Sequence, residues 1–402
     1  MLGLEAGGTP GRLGQKAGYP FYAKALWNSH CVSERPTSRR LLIALAAACC
    51  LALLIPAATL GQRPHHEVFR PPHGQIFHGV SDTGSARDFR VFNHRVGAHT
   101  AVLQSFGKWG GQHLVGGLHR WRITHTRGVL SLSTAPGGQP ELISPRQIAR
   151  GRGDGYILRL GRTIARSDQV VYIRLFPEMN GSWNPYCAFN SDGSSRGASH
   201  ATRAFRDAWR RIVLIAQGGK RGVINRKLVK LGMPRIYRAA SNRDPIYADR
   251  HVPRLLPRPK IAFMWVPQTI GSPAIRSNVP GKYWPGGRYV DWIGADIYSK
   301  FATPGVWSAF RRFYSNWRNP GRHHWPFVVG EYAPWDNDYS GTFTRRLFRW
   351  ALHHRRVRAL IYYRSTSPNN EFDINHWPRA RAVIREMLNR HRFAAHAPGT
   401  RR

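Results

Sequence analysis

The sequence predicts an α/β fold, a (β/α)8 barrel of the TIM type built as one large domain. Three observations carry that prediction. Eight short runs of apolar and β-branched residues recur between residues 75 and 363. Helical patterns with a single apolar stripe separate most of them. Acids stand at the C-terminal ends of several runs, where a parallel barrel gathers its working groups. A doubly wound open sheet is the competing arrangement. It would usually carry a Gly-rich phosphate turn after its first strand, and GVSDTG at residues 79–84 is not one.

The elements follow in order. Residues 1–38 are Gly-rich, polar and aperiodic, and read as a disordered head or a misassigned start. Arg39 and Arg40 lead into the uncharged run LLIALAAACCLALLIPAATL. A basic flank, an apolar run and small residues at its end make 39–61 a signal peptide or a membrane anchor. Residues 62–74, with three prolines and three histidines, read as a linker. The barrel is expected over 75–392, followed by a basic tail at 393–402.

Gln75–Val80 is a short apolar run, the first strand, and Ser85–Val96 a helix. Thr100–Gln104 and Val129–Leu132 are the second and third strands. Pro145–Arg166 is helical in pattern apart from Gly151, Gly153 and Gly155. Val170–Phe176 is the fourth strand. His200–Gln217 is a helix with Phe205, Trp209, Ile212 and Val213 on one face. Residues 218–259 are basic and proline-bearing, longer than an ordinary connection, and read as an insertion with a short helix of its own. Lys260–Val266 and Val290–Tyr298 are the fifth and sixth strands, and Pro304–Trp317 a helix. Pro326–Tyr332 is the seventh strand, and Thr342–His354 a helix striped by Leu347, Phe348, Ala351 and Leu352. Val357–Tyr363 is the eighth strand, and Pro378–Arg390 closes the chain with a last amphipathic helix.

Lys and Arg total 61 against 21 acids, a formal net charge of +40. Such an excess attracts polyanions: nucleic acid, anionic lipid or acidic wall polymer. The arginines are spread along the chain rather than blocked, as a solvated surface in an Arg-rich protein would be. The solvated surface is the first reading of this charge; an anionic cell-wall or surface polymer is the alternative partner, and no specific nucleic acid is expected. Of the four cysteines only Cys187 falls beyond the leader, so no disulfide framework is expected. The doublets His323–His324 and His353–His354 lack a third ligand at zinc spacing and read as surface, so no metal and no cofactor is expected.

The chemistry concentrates in VVYIRLFPEMNGSWNPY, residues 170–186. A buried strand ends there in Glu178, with Asn180 as a hydroxyl-binding amide and Trp183 as a surface for a pyranose face. The seventh strand ends in Glu331, within VVGEYAPW, and the sixth in Asp296 and Tyr298. Strands four and seven face each other across an eight-stranded barrel, so both glutamates can reach one bond. Glycoside hydrolysis requires such a pair: one carboxyl protonated for the leaving oxygen, the other ionised to attack carbon or activate water. Their surroundings must push their pKa values apart. Arg174, four residues before Glu178, would point up the barrel and help keep a carboxylate ionised. Trp183, Trp265, Trp335 and Tyr363 are candidate sugar-stacking walls.

IRLFPEMNGSW, YWPGGRYVDWIGADIY and VVGEYAPW together resemble glycoside hydrolase family 26, the β-mannanase family of the retaining barrel clan, over roughly residues 79–392. The resemblance implies that Glu178 is the general acid/base and Glu331 the nucleophile. It implies retention through a covalent glycosyl-enzyme, with carboxyls about 5–5.5 Å apart. It assigns Tyr298 to the tyrosine that bonds the nucleophile and Asp296 to the family's acid two residues before it. Two positions depart from the pattern. Pro177 stands where the family's mannanases usually carry His, and Tyr363 lies where the clan commonly has Trp. The resemblance and the leader at 39–61 together imply an exported, monomeric endo-β-1,4-mannanase, secreted or held at the outer face of the cytoplasmic membrane, with a polysaccharide as partner. The alternatives are a hydrolase of another β-glycan (xylan, mixed-linkage glucan or an acidic exopolysaccharide) and a glycan- or wall-binding barrel with altered catalysis.

Overall fold

In the computed structural model, residues 68–135, 139–236, 252–316, 325–364 and 371–400 are described. The leader, the head and the His323–His324 doublet lie outside them. Eight parallel strands run in sequence order around a closed barrel: β1 (Ile76–Ser81), β2 (Val102–Lys108), β3 (Arg127–Ser133), β4 (Val171–Leu175), β5 (Ile261–Trp265), β6 (Trp292–Tyr298), β7 (Phe327–Ala333) and β8 (Val357–Tyr362). β8 pairs back onto β1, Phe77 opposite Ala359 and Val80 opposite Tyr362, so the sheet has no free barrel edge. The (β/α)8 expectation holds, and the open sheet is excluded.

Helices surround the strands: α1 (Ala86–Val96), α2 (His113–Ile123), α3 (Pro145–Ala149), α4 (Asp154–Ser167), α5 (Thr202–Ala216), α6 (Arg221–Lys230), α7 (Pro304–Asn316), α8 (Thr342–His353) and α9 (Pro378–Leu388). None of the described helices is long and apolar enough to cross a membrane. Alternate strand residues divide between two cores, as a pleated strand requires. Phe77, Val102, Val129, Tyr172, Met264, Trp292 and Val328 fill the barrel. Ile76, Leu103, Leu130, Ile173, Trp265, Ile293 and Phe327 face the helices.

Several elements differ from the sequence expectation. α2 carries Gly116 and Gly117 and only a weak apolar stripe, so its pattern does not announce a helix. It forms because Trp121 lies flat on β3, where a Cβ on Gly128 would come within 2.1 Å of the indole. The expected helix Pro145–Arg166 is two helices. The chain breaks at Gly151, whose φ is +91°, and α4 restarts with Asp154 bound by the buried Arg211 through Nε (2.7 Å) and Nη2 (2.5 Å). The insertion contains α6 and a two-residue antiparallel ladder, Gly219–Lys220 on Leu255–Leu256, with Ile224 and Leu228 buried in the outer core.

The described parts of the expected linker and of the expected basic tail are packed against the barrel floor. Phe393–Ala394 adds a short strand to β1, and Ala397 is buried. Arg127 donates to the Phe69 carbonyl (2.8 Å) and to the Pro398 carbonyl (2.8 Å). Trp292 Nε1 donates to the Val68 carbonyl (2.7 Å). The physical reason is the strand-start layer of arginine and aromatic groups: Arg127 finds the Tyr172 hydroxyl within the barrel (3.1 Å) and takes its other acceptors from the flanking segments.

Candidate active site

The upper layer of the barrel is polar. By strand parity Gln104, Ser131, Arg174 and Asp296 point inward, each above an apolar residue of the floor layer. Arg174 is fully buried. Its Nη1 donates to Glu331 Oε1 and its Nη2 to Asp296 Oδ2. Burial works against the Arg174 charge, and the neighbouring Asp296, Glu331 and Glu178 carboxylates more than offset it, so the guanidinium stays charged.

Glu331 reaches this layer through an irregularity in β7. Simple alternation after the inward Val328 would turn Glu331 toward the helices. The pairing with β6 slips instead: Ala295 lies opposite Val329, but Ile297 lies opposite Tyr332. One extra residue on β7 re-aims the carboxylate into the barrel mouth. Gly330 makes the bulge possible, because a Cβ there would stand 2.8 Å from Asp296 Oδ1 and 3.2 Å from Arg174 Nε. Glu331 also accepts from Tyr298 OH (2.5 Å) and from Gln104 Nε2 (3.4 Å). Burial first, then the Glu331 charge, push the Tyr298 hydroxyl well above its usual range, so it remains a donor.

Glu178 lies in the turn after β4. Phe176 and Glu178 both adopt left-handed backbone, φ +48° and +50°, and the Glu178 N–H is tied to the Val266 carbonyl of the neighbouring strand (2.9 Å). Its Oε1 accepts from Gln268 Nε2 (3.0 Å) and its Oε2 from Trp183 Nε1 (3.2 Å). Burial raises its pKa above the ordinary carboxylate value, and the Glu331 charge adds to this. Gln268, Arg174 and Trp183 oppose the rise. The Asp296 carboxyl is pushed well above its usual range by burial; Arg174 opposes the shift, while Glu331 and Glu178 reinforce it. The two glutamates therefore share one mouth in unlike settings: Glu331 is held by a cation and a phenol, Glu178 by an amide and an indole.

Around them stand aromatic rings. Tyr298 meets Trp335 edge-on at 5.8 Å and Tyr363 at 5.9 Å, and Phe372 closes the group at 5.0 Å from Tyr363 and 5.1 Å from Trp335. Trp183 is 48% exposed, its indole folded over Gly181.

Two sequence-predicted site residues are not placed for the roles expected of them. Trp265 is fully buried on the helix side, 4.9 Å from Trp284 and 6.1 Å from Phe313, so it packs the outer core and presents no face to a sugar. Its neighbours Met264 and Val266 take the inward positions, and strand parity leaves the indole outside. Asn180 is fully buried, and both ends of its amide are used on the Gln268 peptide. It braces two loops instead of offering an amide to a hydroxyl. Arg174, Trp183, Asp296, Tyr298, Trp335 and Tyr363 do gather with Glu178 and Glu331.

Sequence reasoning missed Gln104 and Gln268. Gln104 is legible in hindsight as the inward residue at the end of its predicted strand. Gln268 lies in an irregular loop beyond β5, where neither periodicity nor motif marks it.

No protein-family profile matches the sequence, and no curated protein matches it. Solved structures with a similar fold include the Bacillus subtilis mannanase BCman, 11% identical with a TM-score of 0.49 over 82% of this chain and 89% of that chain. GH26A from Muricauda sp. is 12% identical, with a TM-score of 0.44 over 82% of this chain and 92% of that one. The GH26 domain of the Prevotella bryantii endo-β-mannanase/endo-β-glucanase is 11% identical, with a TM-score of 0.47 over 80% and 90%.

Proposed function

We propose that this chain is an exported retaining glycoside hydrolase of β-linked polysaccharide, with mannan as its substrate. The observation that carries the proposal is the unlike environment of two carboxyls in one barrel mouth. Glu178, raised by burial, is suited to hold a proton for the glycosidic oxygen. Glu331, which accepts from Arg174 Nη1 and from Tyr298 OH, is placed to act as the nucleophile. In the first step Glu331 bonds to the anomeric carbon as the carbon–oxygen bond to the leaving sugar breaks, and Glu178 gives that oxygen its proton. In the second step Glu178 takes a proton from water, the water oxygen bonds to the same carbon, and the Glu331 ester breaks. Trp183 and the group of Tyr298, Trp335 and Tyr363 supply apolar faces for sugar rings. The three sequence motifs support mannan, and the apolar run at residues 41–60 supports export.

The test is a reducing-end assay on mannan, glucomannan, xylan and mixed-linkage glucan. Turnover with retained anomeric configuration is expected. Glu331→Ala is expected to abolish it, and Glu178→Ala to spare only substrates with an acidic leaving group that needs no proton. Turnover that survives Glu331→Ala, or inversion of configuration, sinks the proposal.

A further inference from the structure

The loop after β4 and the loop after β5 are zipped into one unit around Asn180. The Gln268 N–H donates to Asn180 Oδ1 (2.9 Å), and Asn180 Nδ2 donates to the Gln268 carbonyl (3.0 Å). The Asn180 carbonyl accepts from the Ser272 N–H (2.9 Å) and from Asn278 Nδ2 (2.9 Å), and Asn278 Oδ1 accepts from the buried Tyr283 OH (2.7 Å). The Ser182 N–H returns to the Ser272 carbonyl (2.8 Å). Nothing in this arrangement reaches Glu178 by a side chain except Gln268, whose peptide is gripped at both its N–H and its carbonyl.

We infer that Gln268 is a positioning residue that fixes the orientation and the proton affinity of Glu178, and that Asn180 holds it in place to do so. The inference rests on the reading of Glu178 as the acid/base. An amide N–H bonded to a carboxyl oxygen favours the ionised form. Gln268 thus eases release of the proton to the leaving oxygen in the first step and tempers the basicity of Glu178 in the second. The other groups facing Glu178 act from every side of the mouth: Arg174 on β4, Asp296 and Tyr298 on β6, Glu331 on β7 and Tyr186 on the same loop. The acids favour the proton and Arg174 opposes it. Of the two side-chain N–H donors, Trp183 belongs to a half-exposed indole, and Gln268 belongs to the braced loop.

The experiment compares the native chain with Gln268→Met, which keeps length and loses the donor, and with Asn180→Ala, which loosens the brace and leaves Gln268 intact. Two quantities are read: the pH profile of kcat/KM, and the titration of Glu178 by carbon NMR of carboxyl-labelled protein, assigned with Glu178→Gln. In Gln268→Met both the alkaline limb and the Glu178 titration are expected to move up by about one pH unit, the worth of one hydrogen bond to a charged group. Asn180→Ala is expected to move them the same way by less. An unmoved titration in Gln268→Met, or a rate loss equal at every pH, overturns the inference. A moved titration in a protein that turns over no glycan sustains the inference about Gln268 and refutes the hydrolase reading, so the two failures are distinguishable.

Discussion

Replacing Arg174 by Met tests the electrostatic design of the site directly. The guanidinium is fully buried and bridges Glu331 and Asp296 with two different nitrogens. Met keeps much of the side-chain length and removes the charge. Two buried carboxyls then face each other without their cation. Breaking a buried pair in this way costs about 3–5 kcal/mol, which for a domain of this length lowers the melting temperature by about 5–7 °C. The cost comes from uncompensated charge, so removing the charges should recover it. The triple variant Arg174→Met, Asp296→Asn, Glu331→Gln should melt well above the single variant while remaining inactive. Differential scanning calorimetry at neutral pH measures all three proteins. A single variant that melts within about 1 °C of the native chain, or a triple variant that melts no higher than the single one, would refute the reasoning.

Three further outcomes follow from the same geometry. Trp183→Ala should raise KM on polymeric substrate and leave the melting temperature nearly unchanged, because the indole is half exposed; Trp265→Ala should cost about 3–5 kcal/mol of stability, read by thermal melts. Stability should also respond to pH with a definite sign. Glu178 and Asp296 have folded-state pKa values raised above their unfolded ones. Their contribution is fully present below the ordinary carboxylate range and is lost as pH rises through the raised folded values. Melting temperature should therefore fall with rising pH across that window, and Glu178→Gln together with Asp296→Asn should flatten the fall.

Much of this was legible from residue order. Eight apolar runs, several of them ending in acids, state a parallel barrel, because a strand covered on both faces needs apolar residues on both. What the letters hid was orientation. Trp265 reads like Trp183 until strand parity places one among the helices and leaves the other, in a loop, at the mouth. Glu331 would face outward by the same parity, and only the bulge at Gly330 turns it in. The brace at Asn180 was hidden because a sequon-like Asn-Gly-Ser gives no hint that its partner is a peptide 88 residues away. The helix break at Gly151 was marked by glycines, but its cause, the Arg211–Asp154 pair, is a long-range contact.

The barrel floor has a consequence for how the molecule can be handled. Arg127 holds the carbonyls of Phe69 and Pro398 in the two prongs of one guanidinium, so the first and last described stretches of the chain lie side by side at the strand starts. Glu178 and Glu331 lie at the opposite rim. A purification handle, a surface tether or an appended module joined at this seam extends from the side away from Glu178 and Glu331. A short splice across the seam would let the chain be reopened in any rim-distant loop, giving a permuted barrel with its mouth unchanged.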